Sequence, residues 1–593
     1  MTVRGVATAT AEIKVADSTL AASLREVLVS VTVENSLWLP DRVTLVFSDP
    51  YREVIEKAGL VIGASLDVSV VTDAGSGSTP LADCEITAME VEAGPTGART
   101  VIRGLDRTHR LLQGTRTKAY VQVKASDVVS QLAEKAKISV GTVDETTYVH
   151  PQLTQANVSD WRFIQQLAAD TGFVCHVSKG KLCFSEPTKA SSGPSVGTDS
   201  STGALQLVLG RDLVRLRATV RATEQVSQVQ VRGWDPKAKQ AVVGEDSSPA
   251  DAGAAATDTS VQPATLAGKI GGRSFVGTSR PTDAQSWATA KAKATGAALA
   301  GASTELEGEC LGNPELVAGV AFSLGGAGKP FDGKYVASTT RHVFTADTGY
   351  TTWFTVSGWR DPSLLAAASG STFPVSRPVP GVVPGVVTDV KDEQSEGRVK
   401  VKFPWLDDDY VTDWVRTVQI GASSGYGFLV LPEVNDEVLV AFEQGDLGRP
   451  YVIGNLYNGV DKPKAPATTV DSGTGKVDER RLMSRLKHEV LFLDGTSKSG
   501  ITIRTGDDKE SIVIDAKEMS VTIKATGEVV IQGKTVTVKG QEKISLQAAE
   551  IAIQAKGKLA MSAEGQASVQ AQGELQLSSS GITSVKGSLV KIN

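Results

Sequence analysis

From Ile501 to Asn593 the chain repeats one short motif, two apolar residues one position apart, at a spacing of about eight. The pairs are Ile512/Ile514, Val521/Ile523, Val529/Ile531, Val536/Val538, Ile544/Leu546, Ile551/Ile553, Leu559/Met561, Ala567/Val569, Leu575/Leu577, Thr583/Val585 and Val590/Ile592. Each pair alternates with polar or small residues as a strand with one buried face does, and Gly557, Gly565, Gly573 and Gly581 fall at corresponding turns. A unit with two inward side chains cannot bury its own face, so neighbouring units must stack. About a dozen strands ~4.8 Å apart predict a rod of roughly 55 Å. The rod is either a single-chain solenoid or several chains wound together. Inward residues as small as Ala567 and Thr583 suit a thin prism in which three chains share one interior. Antiparallel hairpins are disfavoured, because the Asn-Gly and Asp-Gly turns they want are absent from the repeat. No capping element follows Asn593, so the last layer, Val590 and Ile592, is expected to leave strand edges for a partner.

The rest of the chain reads as strands with few helices. Residues 1–110 alternate as a β-domain, with EVLVSVTVENSL, DRVTLVFSD, SLDVSVVTD, CEITAMEVEAG and ARTVIRGLD as strands. Residues 111–204 add two helical stretches, from Ser126 and from Ser159. In the second, Ser159 is placed as N-cap, Trp161, Ile164, Leu167 and Ala168 share a face, and Gly172 stops the helix. Residues 205–373 return to strands, with a helix near Ala284–Ala300 and a low-complexity stretch, 244–265, expected as an exposed loop. Residues 374–385, PVSRPVPGVVPG, read as a Pro-rich linker. About five short strands with tight turns follow in 386–460, the spacing of a small closed barrel of the OB type. Residues 461–500 are a connector to the rod at 501–593.

Length and charge narrow the function. A chain of 593 residues exceeds one core, and a net charge of −6 with mixed signs argues against nucleic acid as main partner. The rod carries eleven Lys and Arg against ten Asp and Glu. The N-terminus lacks an apolar core segment and no stretch has the ~18 apolar residues of a membrane span, so a cytoplasmic product without signal peptide is expected. Four cysteines are too few for a disulfide framework; Cys175 and Cys183 flank a hairpin and could face each other. The five histidines lie far apart, Asp407–Asp409 lacks the spacing of a calcium loop, and the two near-matches to a phosphate loop, at Gly527–Thr535 and Gly475–Lys476, have the wrong spacing. Phe403, Trp405, Tyr410 and Trp414 sit beside those aspartates, which suits core and interface roles better than a nucleic-acid groove. No catalytic, cofactor or metal site is expected.

GRVKVKFPWLDDD, WVRTVQIGASSGYGFLVLPEVNDEVLVAFEQGD and GRPYVIGNLYNG resemble the OB domain of VgrG spikes and of contractile phage tail spikes. NVSDWRFIQQLAADTGFVCHVSKGKLCFSEP resembles the hub segment of phage late-control D and VgrG proteins. The resemblance implies a mainly β homotrimer with tube-forming β-barrel hub domains, an OB collar and a C-terminal triple-stranded intertwined β-helix. It implies a non-enzymatic spike that caps a hexameric inner tube within a baseplate and punctures an envelope when the sheath contracts. The rod pairs would then be the trimer core, and Val590 and Ile592 would hold a PAAR-type tip or an effector. Phage spikes can carry a lysozyme domain between collar and needle, but here only about forty residues, Val460 to Ser499, join the two. An enzymatic spike or an effector carrier acting on cell-wall polymer is the alternative. The particle is expected to be phage tail-like, held in the cytoplasm until firing or release.

Overall fold

The computed structural model describes residues 9–72, 77–95, 97–201, 203–247, 249, 253–278, 282–359, 381–464 and 469–592. The chain divides into two compact units, Met1–Lys462 and Pro463–Asn593.

In the first unit, alternating β-branched strands build one eleven-stranded sheet. Its order is Leu213–Val220, Thr304–Leu311, Gly349–Val356, Thr339–Thr345, Leu28–Ser36, Arg42–Ser48, Gly97–Leu105, Ser78–Gly94, Ser65–Thr72, Ala9–Val15 and Ser18–Thr19. Thr339–Thr345 pairs antiparallel with Leu28–Ser36, His342 opposite Val33, so the two hub segments expected as separate domains share one sheet. One core lies under its N-terminal strands (Ile13, Val33, Leu45, Phe47, Leu66) and a second under its C-terminal strands (Leu306, Phe322, Tyr335, Phe354). Between them in sequence, the helices Ala125–Lys135 and Asp160–Thr171 pack with the hairpin Val174–Ser178/Lys181–Ser185 around Trp161, Phe163, Ile164 and Phe184. Ser159 Oγ accepts from the Arg162 amide at 3.3 Å and Gly172 takes φ 77°, the cap and stop read from the sequence.

Three boundaries differ from expectation. The stretch 244–265 is not simply an exposed loop: Gly244 lies in the strand Gln240–Asp246, where a Cβ would strike the Ala288 backbone at 2.1 Å. Ala255–Ala256 joins a sheet with Gly333–Val336, and Pro263–Lys269 is a helix; residues 248 and 250–252 lie outside the described ones. The end of the expected linker is a strand, Val382–Asp389, with Pro384 opposite Leu439; residues 374–380 lie outside the described ones. Gly385 is needed there, because a Cβ would come within 2.5 Å of Val401 and 2.9 Å of the Phe403 ring. Cys175 pairs with Phe184 and His176 with Cys183, so the two cysteines sit on opposite faces of their hairpin. All four cysteines are buried free thiols.

The strands Val382–Asp389, Arg398–Lys402, Val415–Thr417, Pro450–Asn455 and Glu437–Phe442 close into a barrel in that order, with Val415–Thr417 parallel to Pro450–Asn455. Phe403 and Tyr410 are buried in its core, whereas Trp405 is half exposed and donates its indole N–H to the Pro384 carbonyl at 2.9 Å. Asp407–Asp409 forms a turn in which the Asp409 amide donates to Asp407 Oδ1 at 2.8 Å.

The second unit corrects the connector. Glu479–Met483, Glu489–Asp494, Ser499–Arg504, Ser511–Asp515 and Ser520–Lys524 form a five-stranded antiparallel meander, so paired strands begin inside 461–500. The hairpins disfavoured from the turn sequence are present in this part, one of them turning at Asp494-Gly495. At Gly500, φ 146°, a Cβ would fall 1.9 Å from the Ile514 carbonyl oxygen, so only glycine fits. From residue 525 to 592 the chain forms no strand pairing with itself.

Candidate functional site

Antiparallel register sets two rows of large apolar side chains on one face of the meander. Leu482 lies opposite Val490, Val490 opposite Ile503, Ile503 opposite Ile512 and Ile512 opposite Ile523. A parallel row runs Phe492, Ile501, Ile514 and Val521. These two rows are open to solvent in a single chain: Ile512 is 42% exposed, Ile514 43% and Val521 68%. Large apolar side chains in contiguous rows rarely stay in water, because each one buried contributes about 1.5–3 kcal/mol.

The opposite face is mixed: Met483, Leu491, Leu493 and Val513 lie there among charged side chains, and Leu491 is buried within the one chain. Glu489, 3% exposed, accepts from Arg504 and lies 3.3 Å from the Arg481 guanidinium, which also pairs with Glu479. Glu489, held between two arginines, and the neighbouring Leu491 are thus covered within one chain. The asymmetry between the faces says which one remains to be covered.

The expected needle-core residues divide between two environments. Ile512, Ile514, Val521 and Ile523 sit in the meander face. Val529, Ile531, Val536, Val538, Ile544, Leu546, Ile551, Ile553, Leu559, Met561, Val569, Leu575 and Leu577 lie on the unpaired segment and are all exposed in one chain, as are Val590 and Ile592. Leu482, Val490, Phe492, Ile501 and Ile503 were missed, although Val490/Phe492 and Ile501/Ile503 carry the same alternating signal. Their spacing of eleven, continued by Ile512, hides them from a search at eight.

Within the first unit the collar is keyed to the hub by polar contacts. The Tyr410 hydroxyl accepts from Gln152 Nε2 at 2.9 Å and lies 3.2 Å from Thr154 Oγ1, while the Asp413 amide donates to Gln152 Oε1 at 2.8 Å. Arg449 donates to Asp283 at 2.5 Å, and Tyr148 donates to the other Asp283 oxygen at 3.2 Å. Burial works against the Asp283 carboxylate, but the Arg449 hydrogen bond and charge outweigh it and hold its carboxyl below the usual range. Burial also drives the Tyr148 phenol up to about 12, and pulls His150, edge-on to Tyr148 and Trp287, down to about 4. His150 is therefore a neutral packing group at neutral pH. A cavity of about 90 Å³ opens beside it, walled by Gln166, Asp170, Trp287 and Lys291. No group of three or more His, Cys, Asp or Glu side chains is arranged to hold a metal among the described residues.

A sequence family described as the type VI secretion system/phage-baseplate injector OB domain matches residues 383–457, which are the closed barrel. An Alg8 N-terminal domain family matches residues 84–346; these bounds begin within the strand Ser78–Gly94 and cut the eleven-stranded sheet, so they mark no unit of this fold. The type VI secretion system spike protein VgrG2a of Pseudomonas aeruginosa is 37% identical over 71 residues, 11% of this chain and 8% of that protein. The actin cross-linking toxin VgrG1 of Vibrio cholerae is 30% identical over 122 residues, 20% of this chain and 11% of that protein. The chain thus spans about a tenth of the length of these curated relatives. In fold, the Francisella PdpA–VgrG complex in its lidded state superposes with a TM-score of 0.51 at 8% identity, covering 88% of this chain and 81% of that one.

The closed barrel belongs to a class, the type VI secretion system/phage-baseplate injector OB domain. Over a tenth to a fifth of its length the chain is similar in sequence to VgrG spike proteins.

Proposed function

We propose that this chain is the structural spike at the centre of a contractile injection system's baseplate and works as a homotrimer. The observation that carries the reading is the apolar face of the second unit, which continues from the meander into the unpaired repeat and has no cover in one chain. Three chains wound together would place each pair, from Ile512/Ile514 to Leu575/Leu577, against its own copies. The strand edges of residues 525–592 would then find their hydrogen-bond partners between chains. In this reading the hub caps a hexameric inner tube, the needle concentrates the force of contraction on the target envelope, and the chain performs no catalysis. The final layer, Val590 and Ile592, offers apolar surface to a PAAR-type tip or an effector. The spike is made in the cytoplasm and waits in a phage tail-like particle until firing or release.

Light scattering on the purified full-length chain tests this. A mass of three chains is expected. A mass of one chain would mean that the apolar rows are covered in some other way and would remove the basis for the needle.

A further inference from the structure

We propose that the cavity at the joint of hub and collar binds a small zwitterion, an α-amino acid of the size of glycine or alanine. The site lies within one chain and does not depend on the homotrimer. Helical spacing builds two of its walls. Gln166 and Asp170 stand one turn apart on Asp160–Thr171, and Trp287 and Lys291 one turn apart on Gln285–Gly301, so each helix turns two side chains to the opening. The strand Val149–Val158 adds His150, Gln152 and Thr154, and the barrel adds the loop Asp446–Arg449, which leads into Pro450–Asn455. The loop is held in shape by its own bonds: the Gly448 amide donates to Asp446 Oδ1 at 2.9 Å and the Arg449 amide to the Asp446 carbonyl at 2.8 Å.

Charge selects the ligand. The wall carries two carboxylates, Asp170 and Asp446, and two cations, Lys291 and Arg449. They converge, since the charges of Asp170, Lys291 and Arg449 all act on the one His150 ring. Lys291 Nζ lies 3.9 Å from Asp170 Oδ1, beyond hydrogen-bond length, with the two side chains only 14% and 18% exposed. An ammonium has three protons and a carboxylate several lone pairs, so this contact uses part of what each can offer. A simple ion entering here meets its own sign on the wall as well as the opposite one, and a neutral molecule matches neither. A molecule with both charges a few ångströms apart meets a partner for each. Trp287 and Leu153 supply an apolar side for its carbon atoms. The cavity of about 90 Å³ equals the liquid share of about three waters, room for roughly five or six non-hydrogen atoms.

The test is equilibrium dialysis of the purified full-length protein against radiolabelled alanine. Saturable uptake of one alanine per chain is expected, displaced by unlabelled glycine and not by acetate or ethylammonium at the same concentration. Because the ligand touches hub and collar together, saturating alanine should also raise the melting temperature. Lys291→Met and Asp170→Asn should each weaken uptake about tenfold or more while the mass by light scattering stays that of the unaltered protein. Absence of saturable uptake would overturn the site, as would full uptake by both variants when folded. Displacement by acetate or ethylammonium as strong as by glycine would overturn the zwitterion, and this arm needs no variant to fold. Alanine bound to a protein of single-chain mass would overturn the homotrimer and leave the site standing.

Discussion

Leu546→Ala puts a number on the needle. In one chain Leu546 is 72% exposed, so most of the burial it can reach must come from other copies. Leucine-to-alanine changes at buried sites cost about 2–5 kcal/mol. Assigning the exposed share to the interchain contact leaves roughly 1.5–3.5 kcal/mol per copy, or about 4–11 kcal/mol per trimer, since all three copies change in one layer. An exposed leucine on a lone chain would shift stability by no more than about 0.5 kcal/mol. The two readings therefore differ several-fold, beyond the error of a denaturation curve. The assay is guanidinium unfolding followed by β-sheet circular dichroism at two protein concentrations, beside Ser545→Ala, whose side chain alternates to the other face. Leu546→Ala is expected to lower the midpoint strongly and Ser545→Ala hardly at all, with midpoints that rise with concentration as for any assembly that unfolds to separate chains. If the two variants unfold alike, the inward assignment of the repeat is wrong.

Two further outcomes follow from the first unit. Asp41 is fully buried; burial and then the charge of Asp106 hold its carboxyl above the ordinary range. A raised folded pKa means stability present in acid and lost as pH rises past about 4. Asp41→Asn, which can still accept from Asn35, should flatten that slope and raise the hub's melting temperature at pH 7 relative to pH 4; an equal loss at every pH in a thermal scan would contradict it. Tyr410→Phe removes the hydroxyl that joins Gln152, Thr154 and the Leu447 carbonyl and should cost about 1–3 kcal/mol in chemical denaturation, whereas no change would show that the hydroxyl is not what keys collar to hub.

Local chemistry made much of this fold legible. The helix at Asp160–Thr171 announced itself through Ser159, its apolar face and Gly172, and the barrel through five close-set alternating strands. Long-range pairing was not legible: nothing near Val33 or His342 says that they lie opposite each other across some three hundred residues. The meander was missed because its Asp494-Gly495 turn lies before residue 501, where the repeat was taken to begin, because a later turn, Asp515-Ala-Lys-Glu-Met, has no Asn-Gly or Asp-Gly, and because its spacing is not that of the repeat. The cover of the apolar rows was legible only as a need. A pattern states that a face must be buried, and not by what.

The spacing of the second unit also bears on alignment. Apolar pairs stand eleven apart at Val490, Ile501 and Ile512, nine apart to Val521, then seven or eight apart to Val590. An even repeat cannot tell one layer from the next, so chains in the proposed trimer could slip by one unit and still match apolar to apolar. The meander cannot slip this way: its wider units fit no octad, and its strands pair within one chain through local contacts, which form fast. It would act as a vernier, fixing the offset before residues 525–592 meet their copies. Winding would then run from that end towards Asn593, and the register would be right from the first layer.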